Sequence, residues 1–169
     1  MMNVVLASGM RYGDKAHWDK LHAEAKKTTD RQERTALLEA MSRARDPKLA
    51  QANLDLALSD EFDRRESITL VYGVASFHGH RQLTWDFVKT HYETLIAPLP
   101  WRAGASLIHV ASHFCDAEHK KDAEEFFKDR ASKSPGGPRV VAQVLEDMSL
   151  CIAQKPTREK NVSTFLSKY

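Results

Sequence analysis

The sequence predicts an all-α protein built from antiparallel helix pairs. Apolar residues recur at helical spacing along nearly the whole chain, and no segment alternates apolar and polar residues over a strand length. Proline, glycine and aspartate punctuate the stripes at short intervals. The plainest unit runs from Asp30 to Leu58. Leu37, Leu38 and Met41 set one apolar face. Asp46-Pro47 then stops that helix and starts the next, since aspartate caps free amides and proline tolerates the first helical turn. Leu49, Asn53, Leu54, Ala57 and Leu58 continue as the second helix of the hairpin.

The other elements follow in order. Val4, Val5 and Met10 predict a first helix ending near Gly13, and Trp18, Leu21 and Ala25 a second, capped by Asp14. After the hairpin, Ile68, Val71, Val74, Ala75 and Phe77 mark a fifth helix, stopped by His78-Gly79-His80. Trp85, Val88, Tyr92, Leu95 and Ile96 mark a sixth, stopped by Pro98 and Pro100. Leu107, Ile108, Ala111, Phe114 and Cys115 predict a seventh helix, and Ala123, Phe126, Phe127 and Ala131 an eighth. A loop at Ser134–Pro138 precedes the longest stripe, Val141 to Ile152. Pro156 is expected to break it, leaving Val162, Phe165 and Leu166 as a short last helix. About ten helices paired at a spacing of roughly 30 to 40 residues match HEAT- and armadillo-like arrays, which stack into a right-handed superhelix with a concave face. Such an array, beginning almost at Met1, is expected to have something packed on its N-terminal end: more chain, a separate domain or a second copy. Self-association is therefore one expectation.

Composition narrows the function. With 169 residues, 42% apolar content and a mean hydropathy of -0.50, the chain suits one domain of residues 1–169 or one block of a repeat protein. Twenty-five basic against 23 acidic side chains give a net charge of +2 and no reason to expect nucleic acid or a membrane surface as partner. No apolar run approaches the roughly 20 residues of a membrane span. Cys115 and Cys151 lack CxxC spacing and fall on apolar stripes, so they read as two reduced core thiols, favouring a reducing, cytoplasmic compartment.

Few residues offer chemistry. His109 and His113 lie four apart, the spacing of the zinc-ligating pair in HExxH. Val110 replaces the glutamate base, so the default is an ordinary histidine pair, with metal ligation as the alternative. His78, His80 and Arg81 cluster at the turn before the sixth helix, where they form either a solvated turn or a rim that holds a carboxylate or peptide backbone. No GxSxG and no phosphate-binding loop occurs.

The order of these features resembles the C-terminal helical domain of the aminopeptidase N family of zinc peptidases, nearest its puromycin-sensitive branch. The resemblance is carried by Val5-Leu6 to Gly13-Asp14, by Glu33-Arg34 with Leu37-Leu38 and Asp46-Pro47, and by Val74-Ala75, Gly79, Arg81 and Trp85-Asp86-Phe87-Val88. Glu125-Phe126-Phe127, Gln143-Val144-Leu145-Glu146-Asp147 and Phe165-Leu166 complete it, while His91-Tyr92 replaces that family's usual Asn-Trp. The resemblance implies a non-catalytic domain, a C-terminal fragment of a longer enzyme, that closes over a peptide chamber beside a zinc site carried elsewhere. The family's HExxH and GAMEN motifs are absent here, so the chain itself is expected to need no cofactor, with zinc belonging to the parent enzyme. Its partners would be the catalytic domain and the peptide substrate, with Arg81, His78 and His80 as expected peptide contacts. The alternative is a free-standing helical-repeat scaffold that binds a protein or peptide.

Overall fold

A computed structural model describes residues 2–100 and 104–168, with side chains from residue 4 onward. Among them are eight α-helices, three 3-10 segments and no strand. The chain divides into two compact units, residues 1–99 and 100–169.

The first unit contains α1 (Met2–Arg11), α2 (Lys15–Lys27), α3 (Arg31–Met41), α4 (Pro47–Leu58), α5 (Arg64–Ala75) and α6 (Arg81–Ile96). Aspartates begin four of these helices. Asp14, Asp30, Asp46 and Asp63 each accept a hydrogen bond from a backbone N–H of the first turn, and Pro47 follows its cap as the sequence predicts. The helices pack as α2 on α3, α4 on α5 and α3 on α5, with α1 against α3 and α6 against α4 and α5. Leu38, Met41, Leu54, Leu70, Val71 and Trp85 are fully buried at these contacts.

Two polar devices fix the register. Asn53 accepts from Trp18 Nε1 at 2.8 Å and donates to the Met41 carbonyl at 2.8 Å, joining α2, α4 and the end of α3 inside the core. Glu66, 5% exposed, faces Arg34 at 3.1 Å and Arg31 at 3.3 Å. Arg34 also donates to the carbonyls of Ala25 and Thr28, so one guanidinium ties the end of α2 to α3 and α5.

The second unit contains a 3-10 helix (Gly104–His113), α7 (Ala117–Phe127) and α8 (Gly137–Leu166). Leu107, Ile108, Phe127, Val144 and Met148 form its core. Gly136 takes a left-handed conformation at φ 77°, open to glycine at no steric cost, and Gly137-Pro138 open α8.

Three expectations are corrected here. Cys115 and Cys151 are not free thiols: they form a disulfide with Cα atoms 5.4 Å apart. The expected seventh α-helix is a 3-10 helix over Gly104–His113. Pro156 does not break the last stripe, and α8 runs through it to Leu166. Pro156 has no N–H for the carbonyl of half-buried Ile152, but residues 153–168 are all exposed, so the helix around the proline is not packed against a dry interior.

Candidate functional site

The inner face of α3 is committed to the core through Leu37, Leu38 and Met41, and Arg34 fixes its position against α5. Its outer face carries Thr35, Ala36, Glu39, Ala40 and, just past its end, Arg43. α1 lies along this face. Between them runs a groove of about 390 Å³, walled by Val4, Ala7, Ser8 and Arg11 on one side and by Ala36, Glu39, Ala40 and Arg43 on the other. The small side chains Ala36 and Ala40 are buried and make its floor, leaving room where larger residues would close it.

A second cavity of about 270 Å³ shares Arg11 and Arg43 with the groove and is further lined by Arg45, Gly73, Ser76 and Phe77. Arg43 Nη1 donates to Ser76 Oγ at 2.9 Å, and Ser76 Oγ donates to the Gly73 carbonyl at 2.6 Å. The Arg45 guanidinium stands 5.0 Å from the Tyr12 ring and 5.4 Å from the Phe77 ring, which hold it by cation–π attraction. Gly73 is required: a Cβ there would lie 1.8 Å from Ser42 Oγ. Three guanidinium groups line this cavity, with no carboxylate among its described lining residues. Guanidinium stays charged at any physiological pH and offers forked donors, so the cavity favours a carboxylate or another oxyanion.

The residues expected from sequence are placed as follows. His78 and Gly79 are exposed on a 3-10 turn, His78–His80, beside the arginine cavity's Phe77. His80 is 3% exposed and packs edge-on against Phe77 at 4.9 Å, its Nε2 buried without a hydrogen-bond partner. Arg81 is half-buried, and its Nε has no partner either. Of the three, His78 alone stands exposed.

His109 and His113 do not share a face. In a 3-10 helix, residues three apart eclipse, so residues four apart diverge by about 120°. His109 lies on the exposed edge with Ser106 and Ser112, whereas His113 continues the edge of Leu107 and Val110. Among the described residues, no group of three or more His, Cys, Asp or Glu side chains is placed to hold a metal ion. The donor set of the described residues therefore does not fit a catalytic zinc.

Arg11, Arg43 and Arg45 were not singled out by sequence reading. Arg11 ends α1, and Arg43 and Arg45 flank Ala44 in the turn after α3. The available signal was the Arg-Ala-Arg spacing in a turn whose one adjacent acidic residue, Asp46, is used as a helix cap.

Comparison with known proteins gives these features a context. The family model of the ERAP1-like C-terminal domain matches residues 1–150. Aminopeptidase M1 of Arabidopsis thaliana is 28% identical over 137 residues, which cover 79% of this chain and 15% of that protein. Aminopeptidase M1-A of Oryza sativa subsp. japonica is 28% identical over 147 residues, covering 85% of this chain and 16% of that protein. The chain thus spans about one sixth of the length of the curated relatives it matches. No described helix is long and apolar enough to cross a membrane. With its helical order and 150 matched residues in agreement, the chain belongs to the ERAP1-like C-terminal domain family, the helical domain of aminopeptidase N-type proteins.

Proposed function

We propose that this chain is a non-catalytic helical domain of an aminopeptidase, stacked as a HEAT-like array that closes and shapes a peptide chamber beside a zinc site carried by other chain segments. The observation that carries the reading beyond family membership is the cavity of Arg11, Arg43 and Arg45. An aminopeptidase works on the free amine of its substrate. What a separate helical domain can recognise is the rest of the peptide, and its far end is a free carboxylate. A cavity lined by three guanidinium groups suits that group, with Ser76, whose hydroxyl is committed to the Gly73 carbonyl, holding Arg43 in place. The exposed His78 beside it, with Arg81, belongs to the same proposed peptide-contacting rim.

The proposal assigns zinc to the parent enzyme and none to this chain. The puromycin-sensitive branch remains part of the proposal. A cytoplasmic location loses the support of free thiols, because Cys115 and Cys151 are paired and structural disulfides belong mainly to oxidising compartments.

The test is binding of short peptides to the 169-residue chain by calorimetry. Peptides with a free C-terminal carboxylate should bind, and the same peptides as C-terminal amides should bind at least tenfold more weakly. Arg43→Gln with Arg11→Gln should erase the difference. Equal binding of acid and amide would remove the arginine cavity from the proposal. Zinc-dependent release of N-terminal residues by the pure chain would overturn the non-catalytic assignment.

A scaffold role has one observation in its favour. Val162, Phe165 and Leu166 are exposed on α8, beyond the last residue matched by the family. A protein partner or a second copy covering them is the second reading, and sedimentation of the chain with and without residues 157–169 tests the self-association part of it.

A further inference from the structure

The arginine cavity is one end of a longer track. A third cavity, about 270 Å³, is lined by Arg31, Gln32, Thr35, Ala36 and Glu39. It shares Ala36 and Glu39 with the α1–α3 groove, which in turn shares Arg11 and Arg43 with the arginine cavity. Two of the spaces therefore lie along the outer face of α3, and the arginine cavity adjoins them just past the helix end, beside the end of α5, so that the lining runs from Arg31 to Arg43. At 1.5 Å per helical residue that is about 18 Å, the span of about five residues of extended peptide.

The charges along this track are uneven. Arg31 at one end is directed to Glu66 at 3.3 Å. Midway, Glu39 is exposed, lines two of the three cavities, and makes no ion pair among the described residues. At the other end stand the three arginines. Glu39 and Arg43 are four residues apart, about 6 Å along the helix axis, which an extended peptide crosses in about two residues.

We propose that this groove is a directional peptide track in which Glu39 selects a basic side chain two residues before the terminal carboxylate held by Arg11, Arg43 and Arg45. The inference rests on the carboxylate reading given above and adds a specificity-determining residue to it. Ala36 and Ala40 supply an apolar floor and Ala7 an apolar wall for the intervening residues, and the charges supply polarity and register.

The test uses the full 169-residue chain and N-acetylated peptides of the form Ala-Ala-X-Ala-Leu with a free carboxylate, titrated by calorimetry at low salt. Lysine at X should bind about threefold more tightly than alanine, the size of an exposed ion pair, and glutamate more weakly than alanine. Glu39→Gln should level the three peptides, and Glu39→Lys should invert their order. Both variants change an exposed side chain and should leave the circular dichroism melt unchanged. Moving lysine next to the terminal residue should lose the gain. Carboxylate-dependent binding that ignores X, or a preference untouched by Glu39→Lys, overturns the track while leaving the carboxylate cavity standing. Failure of every acid peptide to bind overturns both.

Discussion

Breaking the Cys115–Cys151 disulfide should weaken the second unit by several kilocalories per mole. The bond joins residues 36 apart in sequence. Closing a loop of that length removes about 12.8 cal/mol/K of entropy from the unfolded chain, or about 3.8 kcal/mol at 25 °C in the chain-entropy treatment. The location makes the effect local. Cys115 lies between the 3-10 helix and α7, and Cys151 sits midway along α8, so the bond clamps α8 against the entry to α7. Beside it, Asp116 caps α7, accepting from the His119 N–H at 2.9 Å, and the His119 ring stacks on Phe114 with centroids 3.8 Å apart.

The assay is urea unfolding followed by circular dichroism, comparing oxidised protein, reduced protein and the Cys115→Ser/Cys151→Ser variant. With a urea dependence of about 2 kcal/mol per molar, the loss should move the midpoint of the transition reporting this unit down by about 2 M. Reduced protein and the double serine variant should agree. Thiol titration of unreduced, denatured protein should find no free cysteine. Two free thiols there, or identical urea curves before and after reduction, would refute the reasoning.

Other perturbations probe the first unit and the response to acid. Arg34→Leu removes the partner 3.1 Å from a carboxylate that is only 5% exposed, leaving Glu66 to the more exposed Arg31, and should cost about 3 kcal/mol in urea unfolding; the added change Glu66→Leu should recover much of it. Gly73→Ala drives a methyl group into Ser42 and should cost about 1 to 3 kcal/mol, with Ser42→Gly restoring part; an unchanged melting temperature would show that α5 does not approach the end of α3 this closely. Burial raises the carboxyl pKa of Glu61 and of Asp116. The hydrogen bonds and charge of Lys26 and His22 outweigh burial at Glu61, and those of His119 outweigh it at Asp116, so both end lowered; Arg65 lowers Asp63 through hydrogen bonds. Each group binds its proton less tightly folded than unfolded, so its stabilisation is complete above the ordinary values of 3.8 for Asp and 4.5 for Glu and is lost as pH falls through the lowered ones. Urea midpoints should therefore decline from pH 5 to pH 3, and Asp116→Asn should flatten the decline.

Local rules wrote most of the fold in the sequence. The Asp30 to Leu58 hairpin was legible because its cap, its stripe and its Asp-Pro turn all agree within a few residues. The 3-10 helix was legible too, by a different period. Gly104-Ala105-Ser106, Leu107-Ile108-His109 and Val110-Ala111-Ser112 repeat every three residues with the polar one last, and the first two edges are the buried ones. A search for helical spacing of 3.6 reads the same apolar residues as an α-helix and wrongly puts His109 and His113 together. Pro156 misled because its penalty is large in a packed helix, whereas here the helix around it faces water on every side. The disulfide and the arginine cavity depend on approach between distant segments. Cys115 meets Cys151 only after α7 folds back on α8, and Arg11 meets Arg43 only once α1 lies on α3. No local pattern encodes either meeting.

The arrangement of buried polar groups explains why recognition would sit on α3 and not on a loop. One face of this helix is held from two neighbours, by Arg34 reaching the end of α2 and Glu66 of α5, and its last carbonyl at Met41 is held by Asn53 of α4. A helix pinned at both ends cannot rotate to relax its outer face, so Glu39 and Arg43 keep a fixed separation. Binding then costs the ligand's freedom and little of the protein's, which is how a shallow groove with few charges can discriminate. The same logic makes Asn53 a test of the groove at a distance. Asn53→Leu leaves the Trp18 N–H and the Met41 carbonyl unpaired in the core and should destabilise by about 2 to 4 kcal/mol. If the variant folds, it should also lose the preference for lysine over glutamate at the Glu39 position before it loses carboxylate binding, because register fails before charge does. Retention of the full preference in a destabilised Asn53→Leu protein would show that the outer face of α3 is positioned without the buried network.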